Sequence, residues 1–177
     1  NNNLLIRGSG DPSFNSSYFY ESDSSFLNQI IQKLKNKGIK KINGSIIADA
    51  SYFDNSIPST WIWGDIGNYF GAGANGLSYH DNKFSLFYNS GAANTIAELE
   101  NISPTYFSKK ISIQSNVISS GTEDDAFVFG DPNSYSRIVK GTIPPNKKHY
   151  EVEAEMPEPA LYFVNQLQTE LKKNNLT

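Results

Sequence analysis

The sequence predicts an α/β fold, a βαβ-containing sheet with helices, that carries a small and mostly antiparallel β insert. Three patterns support this prediction: apolar runs flank a helical repeat in residues 4–48, a second helical repeat occupies residues 160–175, and short alternating runs fill residues 84–152. A chain of 177 residues with 38% hydrophobic and 13% aromatic residues is long and apolar enough to bury a core. We therefore expect a folded domain with a small insert.

The first predicted element is a βαβ unit near the amino terminus. The runs "NLLIRG" and "GSIIADASYF" predict strands at residues 4–7 and 45–48. Asp23 or Ser24 is the expected N-cap of the intervening helix, and Gly38 is its expected terminator. Apolar residues recur along this helix at helical spacing, at Phe26, Leu27, Ile30, Ile31 and Leu34. The crossover is expected to be right-handed.

The middle of the chain indicates β structure, and its end indicates a helix. The runs "FSLFY", "KISIQSNVI", "AFVFG", "SRIVKGTI" and "YEVEA" predict mostly antiparallel strands. The segment "ALYFVNQLQTELKKNN" places apolar residues on one helical face, at Ala160, Val164, Leu167 and Leu171. The change of periodicity predicts an accessory α/β domain of residues 1–83 with 132–177 and an inserted β subdomain of residues 84–131.

Composition and charge argue against several function classes. The formal net charge of −3 and the pI of about 5.4 provide no basic field, so we expect no nucleic-acid partner. No apolar run approaches the ~18 residues that a membrane span requires. The absence of Cys removes thiolate nucleophiles and Cys-rich zinc sites but does not determine the compartment. Because "NNNLLIRG" has no initiator Met, we expect a piece of a longer protein.

A glycine-rich stretch, "GDIGNYFGAGANG" at residues 64–76, has the spacing of a dinucleotide-binding fingerprint in Gly71, Gly73 and Gly76. Such a loop must follow a buried strand and open a helix, so that the helix N-terminus faces the pyrophosphate. Neither "WIWGDIGNYF" before it nor "ANGLSYHDNKF" after it has that pattern, although Glu98 lies at a suitable distance for a ribose-binding acid. We predict a glycine-rich bend and no cofactor.

Two tryptophans and a carboxylate precede these glycines. If residues 61–65 are extended, the side chains of Trp61, Trp63 and Asp65 project from the same side and form an aromatic platform with one acid. In the alternative, both rings cover the sheet and Asp65 caps a turn through Gly67 and Asn68. The covering role is favoured for the two rings, and a functional role is favoured for Asp65.

No metal site is predicted. His80 and His149 are the only histidines, and neither has a second ligand at helical i+4 spacing, so both are expected at the surface or in turns. The "EDD" at residues 123–125 lacks the alternating oxygen ligands and the glycine of a calcium loop. We expect a solvated acidic turn at this position.

Four stretches, taken in order, resemble one enzyme family. They are "NLLIRGSGDPSF", "GIKKINGSIIADASYFD", "WIWGDIGNYFGAGANGLSYHDNKFSLFY" and "GTIPPNKKHYEVEAEMPEPALYFVNQL". In these motifs the chain is similar to the class C low-molecular-mass penicillin-binding proteins, a family of serine D-alanyl-D-alanine carboxypeptidases and endopeptidases. The resemblance covers most of the chain, and four motifs in the correct order are far more specific than one.

The catalytic motifs of that family are absent. In the family, Ser-x-x-Lys, Ser-x-Asn and Lys-Thr-Gly supply the nucleophile, the general base and the electrostatics of acyl transfer. No Lys here has a Ser three positions before it, "SFN" at residues 13–15 matches only by letters, and "KGT" at residues 140–142 is not Lys-Thr-Gly. The resemblance places all 177 residues in the accessory insertion between the first two motifs. We therefore expect no catalytic residues and no acylation by penicillin, with the protein's own catalytic domain as a partner.

The resemblance also implies a ligand for the glycine-rich stretch. In the family, a "D-x-G-N-Y-x-G-A" loop lies near the catalytic cleft, where it is suspected of receiving the peptidoglycan stem peptide. The third residue of that peptide, diaminopimelate or lysine, carries an ammonium on an aliphatic stem, which suits a carboxylate beside an aromatic face. Asp65 and Phe70 match the acid and aromatic positions of the loop, and Tyr69 and Trp63 complete the expected substrate-binding set.

Two hypotheses remain open. One is an accessory module of a peptidoglycan-cleaving serine enzyme that helps to shape the substrate cleft. The other is a structural or protein-interaction module without a substrate role. Both imply the bacterial cell envelope, periplasmic or extracytoplasmic, as the location. Asn75 and Gly73 depart from the Ser and Pro that are common in the family at these positions. A Ser-x-x-Lys motif upstream in the reading frame, with Ser-x-Asn and Lys-Thr-Gly downstream, would favour the enzyme context.

Overall fold

The computed structural model describes residues 2–20 and 22–177 of the chain. In chain order its elements are β1 (Leu4–Arg7), α1 (Asp23–Asn36), β2 (Ile46–Asp49), α2 (Trp63–Ile66), β3 (Lys83–Asn89), β4 (Glu98–Ser103), α3 (Thr105–Ser108), β5 (Ser112–Ser119), β6 (Asp125–Phe129), β7 (Ser136–Ile143), β8 (Tyr150–Glu155) and α4 (Pro159–Lys173). Short 3-10 turns lie at Tyr69–Gly71 and His80–Asn82. The expected α/β fold with a small antiparallel β insert is confirmed.

The chain divides into two compact units, each built from separate segments. The first unit comprises Asn1–Ser56, Ala74–Asp81 and Glu158–Thr177, and the second comprises Ile57–Gly73 and Asn82–Pro157. These boundaries differ from the predicted ones, because residues 57–73, 82–83 and 132–157 of the predicted accessory domain belong to the second unit. The reason is strand pairing: β7 lies between β5 and β6, and β8 pairs with β3, so neither strand can separate from the insert.

In the first unit, β1 and β2 form a parallel pair with Leu4 opposite Ile46, and α1 connects them. The N-cap of α1 is Ser22, whose hydroxyl accepts a hydrogen bond from the Ser25 N–H at 3.2 Å. The prediction of Asp23 or Ser24 was therefore wrong by one or two positions, because Ser22 is the last residue with extended backbone before the helix. Gly38, with a φ of +76°, follows the helix as predicted.

Aromatic side chains fill the core of the first unit, where α1 packs against α4. The ring of Phe14 lies 4.6 Å from that of Phe26 and 5.1 Å from that of Phe163, and Tyr79 lies 5.2 Å from Phe163. The apolar face of α4 is rotated from the predicted one, because the aromatic side chains take the core. Its buried residues include Tyr162, Phe163, Leu167 and Leu171, whereas the predicted Ala160 and Val164 are half-buried beside β2.

The second unit contains two three-stranded sheets, with the strand orders β4-β3-β8 and β5-β7-β6. The first sheet is antiparallel throughout, and in the second β6 is antiparallel to β7. β5 and β7 are parallel, with Ser112 opposite Ser136, which departs from the expected antiparallel pattern. This occurs because the hairpin partner of β7 is β6, so β5 joins the opposite edge of β7. Strand β4 was not predicted.

Candidate functional site

The candidate site is the stretch from Trp61 to Gly73 in the second unit, which we call the aromatic loop. It contains the single helical turn α2 and the 3-10 turn Tyr69–Gly71. The backbone turns at Trp63, so the expected extended platform of Trp61, Trp63 and Asp65 is absent. The alternative, in which the rings cover a sheet, also fits poorly, since Trp61 is 38% and Trp63 is 58% exposed.

Asn68 fixes the centre of the aromatic loop. It is buried, and its side-chain oxygen accepts a hydrogen bond from the Val128 N–H of β6 at 2.8 Å. Its side-chain nitrogen donates to the Gly64 carbonyl at 2.6 Å. The backbone of Asn68 also forms an isolated bridge with Ala154 of β8. One amide thus satisfies backbone groups of the loop and of a strand, which an apolar side chain cannot do.

The glycines of the loop allow close backbone packing. A Cβ at Gly67 would meet the Val128 carbonyl, and a Cβ at Gly71 would meet the Asp65 carbonyl, whereas no heavy atom lies within 4 Å of a Cβ placed at Gly73. Gly76, the last glycine of the fingerprint spacing, lies in the first unit. Gly67 is thus explained by close packing of the loop on β6, and Gly71 by close packing within the loop, in agreement with the predicted bend.

Glu155 holds the aromatic loop at two points from the end of β8. Its backbone N–H donates to the Gly67 carbonyl at 3.0 Å, and its carboxylate accepts a hydrogen bond from the backbone N–H of Gly73. Glu155 is only 5% exposed. The two contacts fix both ends of the segment that contains Tyr69 and Phe70.

A fully buried arginine accompanies this glutamate. Arg137 of β7 is 0% exposed, and its Nη2 lies 3.8 Å from Oε2 of Glu155. Its Nη1 donates to the backbone carbonyls of Asp131, Ser134 and Ser136 at 2.6–3.1 Å. Burial raises the pKa of Glu155 to about 7, although the Arg137 charge and the Gly73 N–H oppose the shift. Burial also lowers the pKa of Arg137, and the charges of Glu155 and Asp131 oppose that shift.

The four site residues predicted from the sequence are all at least partly exposed, unlike the buried side chains of Asn68, Arg137 and Glu155. Tyr69 is 49% and Phe70 is 55% exposed, and their rings meet edge to face with centroids 5.3 Å apart. Trp63 is exposed and Asp65 is half-buried. The backbone N–H of Asn68 donates a hydrogen bond to the backbone carbonyl of Asp65 at 3.0 Å. The turn from Asp65 to Asn68 is therefore closed by the backbone and not by the Asp65 carboxylate.

A groove of about 220 Å³ lies beside the two loop aromatics. Besides Asn68, Tyr69 and Phe70, it is lined by Asp124, Ala126, Phe127, Val152 and Glu153. Thus the structure brings two of the four predicted site residues together in one groove, whereas Trp63 and Asp65 do not line it. Sequence reasoning assigned Asp124 to a solvated turn. No sequence pattern links it to the loop, because the loop meets the following strand β6 through a hydrogen bond between Asn68 and Val128, which are 60 residues apart.

The two histidines lie apart from this groove's lining. Nδ1 of His149 lies 3.0 Å from Oε2 of Glu100, and its ring stacks on Phe87 with centroids 4.0 Å apart. His80 lies in a 3-10 turn, half-buried. Across residues 2–20 and 22–177, no group of three or more His, Asp or Glu side chains is arranged to hold a metal ion. In the same residues, no helix combines the length and the apolar character needed to cross a bilayer.

Comparisons of sequence identify a family and a curated relative. The sequence model of the D-Ala-D-Ala carboxypeptidase 3 (S13) family matches residues 1–177. The D-alanyl-D-alanine carboxypeptidase DacB of Haemophilus influenzae is 35% identical over 65 residues, which are 36% of this chain and 12% of that protein.

Comparisons of structure give the same fold in longer chains. The crystal structure of penicillin binding protein 4 (dacB) from Haemophilus influenzae matches 98% of this chain with a TM-score of 0.68 and 22% identity, and the match covers 37% of that protein. Its complex with a novel β-lactam matches with a TM-score of 0.57 and 19% identity, covering 98% of this chain and 34% of the other. This chain thus spans about a third of the length of these structures.

Proposed function

From the premise that the chain belongs to the D-Ala-D-Ala carboxypeptidase 3 (S13) family, we propose a function for it. The chain is a non-catalytic accessory region of a carboxypeptidase or endopeptidase that acts on peptidoglycan stem peptides. The resemblance to the class C low-molecular-mass penicillin-binding proteins is confirmed. The accessory role follows from the absence of Ser-x-x-Lys and Lys-Thr-Gly in the sequence. In this proposal the nucleophile and base come from the protein's own catalytic domain, in the periplasm or another extracytoplasmic compartment.

The observation that carries the proposal is the contrast between the two sides of the aromatic loop. Its inner side is held by Asn68 and Glu155 through contacts to β6 and β8. Its outer side exposes large apolar rings, at Trp63, Tyr69 and Phe70. Neighbouring exposed apolar side chains mark surfaces that bind a ligand or a partner. A rigid support beneath them reduces the entropy lost when that ligand binds.

In the proposed role this surface binds and orients the substrate. The rings of Tyr69 and Phe70 contact the aliphatic part of the third residue of the stem peptide. Asp65 provides a carboxylate for its ammonium, and Trp63 extends the apolar surface. Orientation of this kind lowers the barrier of the reaction in the catalytic domain without any group here taking part in bond changes.

The experiment measures kcat/KM of the complete protein for two pentapeptides, one with lysine and one with norleucine as the third residue. We expect Asp65→Asn to lower kcat/KM for the lysine peptide, with a loss of transition-state stabilisation on the order of 1 to 3 kcal/mol, as for a charged hydrogen bond. The value of kcat/KM for the norleucine peptide should remain nearly unchanged. Phe70→Ala is expected to affect both peptides, because both have the aliphatic stem.

Tyr18→Ala is the matched control, since Tyr18 is an aromatic residue of the first unit that is 87% exposed. It should change neither value. A structural or protein-interaction role predicts a different result. In that case Asp65→Asn would reduce kcat/KM for both peptides equally, with a lower Tm, or would leave both values unchanged, and Phe70→Ala would lower kcat/KM only as far as it lowers Tm.

A further inference from the structure

The formal net charge of −3 is the sum of two regions of opposite charge. Residues 24–48 contain five lysines and no acidic residue, and residues 159–177 contain two lysines and one acid, Glu170. These two segments, both in the first unit, therefore carry a charge of +6, and the remainder of the chain carries −9. The expectation that the chain lacks a basic field thus applies to its total charge but not to this part of the first unit.

The fold brings these lysines to the end of the first unit at which α1 and α4 both terminate. Nζ of Lys35 donates a hydrogen bond to Oδ1 of Asn174, the C-cap of α4, at 2.8 Å. In the loop after α1, the backbone N–H of Ile42 donates to the Leu176 carbonyl at 2.8 Å. The ends of the two helices and this loop therefore lie side by side. We call the seven lysines of residues 33–41 and 172–173 the lysine cluster, and all seven are exposed.

Little of the positive charge in the lysine cluster is neutralised. Among the described residues its only ion pair joins Lys173 to Glu170, with Nζ and Oε2 3.0 Å apart. Lysines in the last turn of a helix stabilise its C-terminal carbonyls, which accounts for part of the cluster. It does not account for Lys40 and Lys41, which follow Gly38 in the loop after α1. Like charges held close together repel one another, so the cluster favours an anionic partner.

The surface of the lysine cluster indicates which kind of anion it suits. No lysine of the cluster lines the groove beside Tyr69 or the clefts beside β1 and β2, whereas a chain-like ligand is usually held in a groove. No large apolar side chain is exposed in residues 33–45 or 165–177, whereas protein partners are usually anchored by such side chains. A planar array of anions needs neither feature, because clustered lysines are attracted to it by charge alone.

We propose that the lysine cluster is a docking surface for the anionic headgroups of a phospholipid bilayer. The contact is electrostatic and reversible, since the ammonium groups lie among lipid phosphates and no side chain enters the hydrocarbon. It holds the protein at a membrane surface without a spanning helix. The inference goes beyond the proposed function and does not depend on it, because the lysine cluster belongs to the first unit and the aromatic loop belongs to the second.

The test is co-sedimentation of the 177-residue chain with phosphatidylcholine vesicles that contain about 30% phosphatidylglycerol. We expect the chain to pellet with these vesicles at low ionic strength and to stay in solution with vesicles of phosphatidylcholine alone. Raising the NaCl concentration to about 0.5 M should release the chain from the vesicles, because screening then shortens the range of the attraction to a few ångströms.

The decisive variant neutralises four lysines of the cluster together: Lys37→Gln, Lys40→Gln, Lys41→Gln and Lys172→Gln. A lysine near an anionic bilayer contributes on the order of fivefold to binding, so the variant should bind at least about twentyfold more weakly, even if only two of the four lysines contact lipid at a time. The matched control makes the same change in net charge at exposed lysines of the second unit: Lys109→Gln, Lys140→Gln, Lys147→Gln and Lys148→Gln. Its effect should be less than about threefold.

A second variant combines Lys40→Glu with Lys41→Glu. Both residues lie outside the helices, so the change leaves the ends of α1 and α4 intact and the Tm should match that of the wild type. The net charge changes by the same amount as in the first variant. Binding to the anionic vesicles should again be weakened by at least about twentyfold.

Four results would overturn the inference: no binding to vesicles, equal binding to both kinds of vesicle, equal losses in the cluster and control variants, or tighter binding of long-chain polyphosphate, per phosphate, than of the anionic vesicles. The last result would identify a chain-like anion as the partner. The proposed function is judged separately, by kcat/KM of the complete protein for soluble peptides, and the cluster variants should leave that value unchanged. Failure of either proposal thus leaves the other standing.

Discussion

The two units of the chain differ in the polar side chains that they bury. In the first unit, helices α1 and α4 bury aromatic and aliphatic side chains, among them Ile31, Phe163 and Leu167, which are fully buried. The second unit also buries apolar side chains, such as Leu86 and Val139, but at the aromatic loop it buries three polar side chains as well, which we call the polar core: Asn68, Arg137 and Glu155. The polar core thus occurs beside the irregular segment, whereas the helices of the first unit bury mainly apolar side chains.

The difference follows from backbone hydrogen bonding. A helix satisfies its own N–H and C=O groups, so the side chains between two helices need only pack. A loop of single turns leaves backbone groups that need partners, and here Asn68 and Glu155 supply them. The polar core of the second unit therefore stabilises the conformation of a binding surface, and we expect its loss to affect that surface first.

The largest expected effect is that of Arg137→Leu. This change leaves the Glu155 carboxylate without its counter-charge and three backbone carbonyls without their donor, at a cost of about 3 to 5 kcal/mol. Both tryptophans of the chain, Trp61 and Trp63, lie in the second unit, so their fluorescence reports its unfolding in urea.

Phe163→Ala is the comparison in the first unit. It should also cost about 3 to 5 kcal/mol, but through a cavity. Circular dichroism at helical wavelengths should report it, because α1 and α4 are the long helices of the described chain. If Arg137→Leu left the tryptophan transition unchanged, the polar core would have no special role in the second unit.

The next effect concerns pH. Because the pKa of Glu155 is about 7 in the folded chain and 4.5 in its ordinary state, the folded form retains a proton that the unfolded form has lost between these values. The contribution of Glu155 to stability is therefore fully present below pH 4.5 and is lost as the pH rises through about 7. The loss amounts to about 3 kcal/mol at most.

Glu155→Gln, which resembles the protonated side chain, should lack this dependence. Measured from pH 4.5 to 8 by urea unfolding, the free energy of unfolding of the wild type relative to the variant should fall with rising pH. Equal pH profiles for the two proteins would show that Glu155 titrates normally.

The smallest expected effect separates two neighbouring glycines. Gly71→Ala should destabilise the second unit by about 2 kcal/mol, because its Cβ would collide with the Asp65 carbonyl and the loop would have to move. Gly73→Ala should change stability by less than about 0.5 kcal/mol, since its Cβ would enter open space. Urea unfolding of both variants, followed by tryptophan fluorescence, makes the comparison. Equal losses would indicate that flexibility, rather than close packing, explains Gly71.

Much of the regular structure could be predicted from sequence, because periodicity reports which residues face a core. The strands of residues 4–7 and 46–49 and helices α1 and α4 followed from this signal. Strand β4 was missed because "ELENIS" carries charged residues and only Ile102 is buried in it. The parallel pairing of β5 with β7 was missed because turn residues predict only neighbours in sequence.

The site could be predicted only in part. Tyr69 and Phe70 were identified by resemblance, but Asp124 lines their groove because the aromatic loop packs on β6, some 60 residues later in the chain. The buried Arg137 had a usable signal, since it shares a face of β7 with Val139 and Ile143 by alternation. Glu155 had none: alternation places it with the partly exposed Glu153, and it is buried because the aromatic loop covers it.

The interleaving of the two units along the chain has a kinetic consequence. The first unit takes α4 from its last segment, so β1, α1 and β2 cannot complete their core until that helix has been synthesised. In the second unit, β3 cannot pair with β8 until residue 155 has left the ribosome. Both units therefore form only after nearly all of residues 1–177 have been translated, and folding must close long loops before it gains these contacts. A nascent chain that ends before residue 150 contains neither core in full, so its apolar side chains stay exposed until β8 and α4 are added.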